Sequence, residues 1–153
     1  MSTPALPGDP TAGELGQLLP LTNDLITSVL DARGFTHRLD DDGDICGNWQ
    51  GNLIYFFRIG EKLEMLQVRV LTATVFDIDK VPLLHGFCNS WNHDRLWPKA
   101  YVHVADDGSV RVVGEVVADC EHGVTVAQLD QVMICGIATG CQLADAVAEL
   151  EHA

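Results

Sequence analysis

Residues 45–75 read ICGNWQGNLIYFFRIGEKLEMLQVRVLTATV, and their punctuation decides the fold. Gly51-Asn52 and Gly60-Glu61-Lys62 have turn composition, as does Asp40-Asp41-Asp42-Gly43-Asp44 just upstream. They divide the stretch into three runs, Ile45–Gln50, Leu53–Ile59 and Met65–Val75, rich in β-branched and aromatic residues. Three such runs joined by short turns predict an antiparallel meander. In the middle run Leu53, Tyr55, Phe57 and Ile59 share one face while Ile54 and Phe56 share the other. This pattern predicts a central strand covered on both sides for part of its length.

Outward from the meander the period changes. Thr22 is placed to cap a helix whose stripe is Leu25, Ile26, Val29 and Leu30, with Leu21 stapling onto Ile26 and Gly34 ending it. A second helix is expected from Lys80 to about Asn92, capped by Asp79, because Leu84, Phe87, Cys88 and Trp91 fall at helical spacing. Ala100–Val104 and Ser109–Val117 then form a hairpin across Asp106-Asp107-Gly108. A last helix starts at the capping box Thr125/Gln128 and runs to about Leu150. The chain is therefore expected to be α+β, ordered α-β-β-β-α-β-β-α, with an antiparallel sheet of about five strands. Four of the six prolines lie in residues 1–20, which read as a flexible tail before a domain at 21–153.

Composition bounds the function. Twenty-two acids against nine bases give a net charge of −13, which opposes binding to nucleic acid or to an anionic membrane. The acids crowd both ends: residues 45–104 hold five acids and six bases, whereas residues 105–153 hold nine acids and one base. Bases in the centre read first as the solvated face of strands. The longest uncharged stretch, Gln131–Ala144, is too short for a membrane span and is expected to be a buried helix of a soluble domain. Five cysteines without a Cys-x-x-Cys pair, and no leader-like N-terminus, point to a reducing cytoplasm.

The last helix carries more apolar surface than one sheet contact needs. Val132, Met133, Gly136, Ile137 and Gly140 are the candidate residues of a homodimer interface, with Gly136-x-x-x-Gly140 allowing two backbones to cross closely. The other reading is a helix lying in a deep groove of its own subunit.

Sites of chemistry are few. Asp40, Asp42 and Asp44 resemble the start of a calcium loop, but Ile45 and Gly51 stand where that loop needs Gly and Glu, so a turn is the better reading. His85, Cys88 and His93 lack a second ligand pair for zinc. No nucleophile elbow, phosphate loop or dinucleotide fingerprint occurs, so neither a cofactor nor a catalytic residue is expected. One dense constellation remains, residues 89–101. There Asn92, Arg95, Trp97 and Lys99 are candidates to grip a protein partner, while Trp91 reads as interior and Trp97-Pro98 as the corner between helix and strand.

These blocks also form a recognisable set. Asp44-Ile45-Cys46-Gly47-Asn48-Trp49, Leu66-Gln67-Val68-Arg69, Asn89-Ser90-Trp91-Asn92, Trp97-Pro98-Lys99-Ala100-Tyr101, Asp107-Gly108 and Gly123-Val124-Thr125 resemble the YbjN family of small bacterial proteins, its actinobacterial members in particular. The resemblance covers about Thr22 to Leu150. It implies a fold similar to type III secretion chaperones, often dimeric, and a role in regulation and stress responses without catalytic residues. The expectation is a non-enzymatic, protein-binding regulator or chaperone-like adaptor. The alternative is a small-molecule sensor or enzyme with a pocket near Trp91, Arg95 and Trp97.

Overall fold

The structure, a computed structural model, describes residues 16–152. Among the described residues three α-helices, α1 (Asn23–Ala32), α2 (Val81–Asp94) and α3 (Val126–Glu149), pack on an antiparallel sheet of six strands. The strands are β1 (Arg38–Leu39), β2 (Ile45–Trp49), β3 (Asn52–Ile59), β4 (Met65–Leu71), β5 (Lys99–Val104) and β6 (Val110–Asp119), in the order β1-β2-β3-β4-β6-β5. The expected fold class and element order hold, with β1 added as a two-residue edge.

Local signals set the helix ends. Thr22 accepts from the Leu25 N–H at 3.1 Å, and Thr125 and Gln128 form the reciprocal capping box of α3. At α2 the expected Asp79 cap is absent. A short 3-10 turn, Ile78–Lys80, leads straight into the helix, and no side chain caps either element. Proline at the start of α2 accounts for one N–H that would otherwise need a partner. Leu19 pairs with Val124, N–H to C=O both ways at 2.9 Å, so part of residues 16–20, expected in the tail, joins the ordered backbone. Residues 1–15 lie outside the described region.

The core lies between the helices and one face of the sheet. Ile45, Ile54, Phe56, Leu66, Val68 and Val70 meet Ile26, Leu30, Leu129 and Met133 on one side of the domain. On the other side Leu84, Cys88, Trp91, Val110, Val112, Leu143 and Val147 pack together. Helix α3 is long and apolar enough, by length and composition, to cross a bilayer. Here its buried stripe, Leu129 to Val147, lies against β4 and β6.

Two expectations fail on this geometry. The second face of β3 is not covered: Leu53, Tyr55, Phe57 and Ile59 stay half-buried, because all three helices take the Ile54–Phe56 side. The glycines of α3 also serve the chain itself. A Cβ on Gly136 would lie 2.6 Å from Val68 Cγ1, and one on Gly140 would collide with the Val70 side chain. Gly136 and Gly140 thus bring α3 close to its own β4, and they are not free for a crossing with a second copy. Met133 and Ile137 are buried in the same contact, which leaves Val132, itself half-buried against the core, as the proposed interface residue with surface to spare.

Candidate binding surfaces

The corner between α2 and β5 sorts the residues assigned to partner binding. Trp91 is interior, its indole N–H donating to the Pro98 carbonyl at 3.0 Å. Arg95 stacks over that indole at 4.2 Å, so the chain itself covers that ring face. Asn92 has a structural task. Its amide donates to the Ala100 carbonyl at 2.9 Å and accepts from the Ala100 N–H at 2.8 Å, which satisfies the outer edge of β5. Pro98, not Trp97, fixes the corner: it is buried over Gly114, where a Cβ would approach its ring to 2.8 Å. Trp97 is 51% exposed and Leu96 84%. Lys99 is exposed and stands 3.9 Å from Glu115.

Trp97 borders a groove of about 220 Å³ with Val116, Val117, Ala118, Gln131, Val132 and Cys135. A second groove of about 310 Å³ shares Ala118 and Val132 and continues past Asp119 to Gly123. Between them runs a free strand edge. β5 begins at Lys99 opposite Glu115, so β6 extends beyond it, and Val116–Asp119 pair with β4 alone. The Cys120 N–H bonds to the Glu64 carbonyl on the β4 side, and alternation along the strand turns the backbone groups of Val117 and Asp119 the other way. Nothing in the sequence marks this edge except the unequal lengths of two strands.

The helix-free face of the sheet is the second surface. One cross-strand row runs Arg38, Cys46, Tyr55, Arg69, Glu115, Lys99 through all six strands. Tyr55 stacks on Phe57 with ring centroids 5.0 Å apart, and the Arg69 guanidinium lies 5.1 Å from the Phe57 centroid. Glu115 Oε2 accepts from Gln67 Nε2 at 3.0 Å and from the Tyr101 hydroxyl at 3.3 Å. Burial first, and then the Glu115 charge, push the Tyr101 hydroxyl up from its ordinary pKa, partly offset by Arg69. Gln67 Oε1 and Arg69 Nε are buried without a partner, each at a cost of about 1–3 kcal/mol.

Asp40, Asp42 and Asp44 do converge, their oxygens lying within 4.8 Å of one another. Asp40 Oδ1 accepts from the N–H groups of Asp42 and Asp44, the bonding of a tight turn. Burial, and then the two neighbouring charges, raise the Asp44 pKa. Cys88 is held apolar in the core, where burial pushes its thiol up to about 11.

Comparison with known proteins agrees with this geometry. No curated protein is significantly similar in sequence. A solved structure titled "Crystal structure of YbjN, a putative transcription regulator from E. coli" superposes with a TM-score of 0.73 at 19% identity, over 88% of this chain and 96% of that one. At that identity the match shows a shared fold. The model of the YbjN family, described as "Putative bacterial sensory transduction regulator", matches residues 22–149. The match spans every helix and strand described above, and the chain belongs to the YbjN family.

Proposed function

We propose that this domain is a non-enzymatic regulator of cytoplasmic type that works by binding another protein along the free edge of β6. The observation that carries the reading is the coincidence of the outward backbone groups of Val117 and Asp119, beyond the end of β5, with the apolar groove under Trp97 and Val132. An added strand would find main-chain hydrogen bonds at Val117 and Asp119, and its alternate side chains would enter the groove. Exposed Leu96 and Trp97 offer apolar contact at one end, and Arg95 and Lys99 supply the charges around it. Regulation by an adaptor of this kind fits the family description without requiring catalysis.

The test is capture of partners from bacterial lysate by the full chain, beside Trp97→Ala and Val117→Lys, with light scattering on each. Val117 is 45% exposed, so a lysine there blocks the edge without entering the core. A stoichiometric partner lost from both variants supports the reading. A dimer of the parent that dissociates in Val117→Lys identifies that partner as a second copy. A partner retained by both variants refutes it.

A further inference from the structure

The groove at β6 leaves the opposite face of the sheet unexplained. Gln67 is 6% exposed and its amide orientation is fixed by chemistry: Glu115 can only accept, so Nε2 faces it and Oε1 turns away to an unpartnered position. Arg69 stands directly opposite Glu115 in register but forms no ion pair among the described residues. Glu115 is already occupied by Gln67, Tyr101 and Lys99. The guanidinium lies on Phe57 instead, with its Nε unsatisfied. A donor and an acceptor, two residues apart on one strand face, are thus left unpartnered just beneath the side chains of the face that no helix covers. Native interiors retain few such atoms.

Charge points the same way. Asp40 and Asp44 act on the Cys46–Tyr55 end of the row beside Arg38, whereas its middle holds Arg69 and Lys99 against Glu115, a positive surplus there in a chain of net charge −13. Half-buried Leu53, Tyr55, Phe57 and Leu71 flank it with apolar surface.

We propose that this row is a receptor for an acidic peptide segment. A Glu or Asp carboxylate of the segment accepts from the Arg69 guanidinium, and its backbone N–H donates to Gln67 Oε1. Its apolar neighbours lie on Tyr55 and Phe57. Arg69 swings from the Phe57 ring to engage the carboxylate, because its Nε is shielded in the free chain. Carboxylate recognition by a guanidinium is bidentate and charge-assisted, which favours an acid over its amide at the same position. Lys99 and Val117 border both this surface and the β6 groove, but neither proposal depends on the other.

The test uses the ¹⁵N-labelled full chain and three probes, acetyl-Phe-Glu-Phe-amide and its Gln and Lys counterparts, titrated to millimolar concentration by NMR. The Glu peptide should move the Arg69 Nε–H signal and the amides of β3 and β4. It should bind about tenfold more tightly than the Gln peptide, and more weakly as salt rises. Arg69→Gln should abolish the Glu preference, whereas Trp97→Ala, at the β6 groove, should leave it intact. If Arg69→Gln fails to fold by circular dichroism, Arg69→Lys, which keeps the charge but lacks the fork, is read in its place and should reduce the preference. Equal binding of the Glu and Gln peptides, shifts gathered around Trp97 and Val132, or no shift with any probe overturns the proposal.

Discussion

Gly136→Ala probes the contact that sets the distance between α3 and the sheet. A Cβ at Gly136 would stand 2.6 Å from Val68 Cγ1 and 2.7 Å from Val68 Cβ. Carbon atoms rest at roughly 3.5 Å or more, so helix and strand would have to part by about 0.9 Å or Val68 would have to move. Val68 has little freedom. It is 1% exposed, paired to Phe56 on one side and Val116 on the other, and stiff at χ1. Rotation would not relieve the clash, because the Cβ itself is too close. One turn on, Gly140 meets Val70 in the same way, so α3 cannot tilt about that end. Helix propensity acts in the opposite direction, since Ala is better than Gly by about 1 kcal/mol in a helix interior. Overpacking costs about 1–3 kcal/mol, and with two contacts on the shaft of a stiff residue the upper part of that range applies. The net expectation is a loss of about 1–2 kcal/mol. Urea unfolding followed by far-UV circular dichroism measures it, at two protein concentrations so that any dissociation of copies shows separately. Val68→Ala removes the Cγ1 contact at 2.6 Å but keeps the Cβ at 2.7 Å, so the double variant should recover part of the penalty, with a favourable coupling in the lower part of about 0.5–3 kcal/mol. A Gly136→Ala protein as stable as the parent, or a penalty unchanged by Val68→Ala, would refute the reasoning.

Two other predictions follow from the same structure. Trp91→Ala should cost about 3–5 kcal/mol, because it empties a core site and orphans the Pro98 carbonyl, while Trp97→Ala should change stability by less than about 0.5 kcal/mol; melting curves for the two variants decide between these roles. Asp130 is held below the usual carboxylate range by hydrogen bonds from Arg33, at 2.8 Å from Nε and 2.7 Å from Nη2. A depressed folded pKa gives stability that is complete above the unfolded value and lost as pH falls through the folded one. The stability difference between the parent and Asp130→Asn should therefore shrink as pH drops below the ordinary carboxylate value of 3.8. Thermal melts from neutral to strongly acidic pH measure this, and a difference independent of pH would show that the pair does not couple α1 to α3.

Several parts of this molecule were readable because their causes are local. Thr22, and Thr125 with Gln128, satisfy N–H groups within one turn of themselves, and Gly60 adopts a φ of 99° at a turn that its own composition announces. The meander followed from three runs joined by short turns, since a two- to five-residue connection leaves antiparallel neighbours little choice. The blocks from Asp44 to Thr125 carried the family in the same way, residue by residue.

What the sequence could not determine are the facts that depend on partners far along the chain. Leu53, Tyr55, Phe57 and Ile59 are as apolar as a covered face, yet all three helices chose the other side. Gly136-x-x-x-Gly140 signals close approach, but only the tertiary structure shows that the approaching surface is Val68 and Val70 rather than another chain. Asn92 looks like a free amide until β5 comes to lie beside it. Gln67 and Arg69 read as ordinary strand residues, and their unmet hydrogen bonds exist only because Glu115, 48 residues beyond Gln67, is held by other donors. Caps and turns are fixed by contacts within a few residues, whereas the choice of face, edge and hydrogen-bond partner is a competition among segments that the folded chain alone brings together.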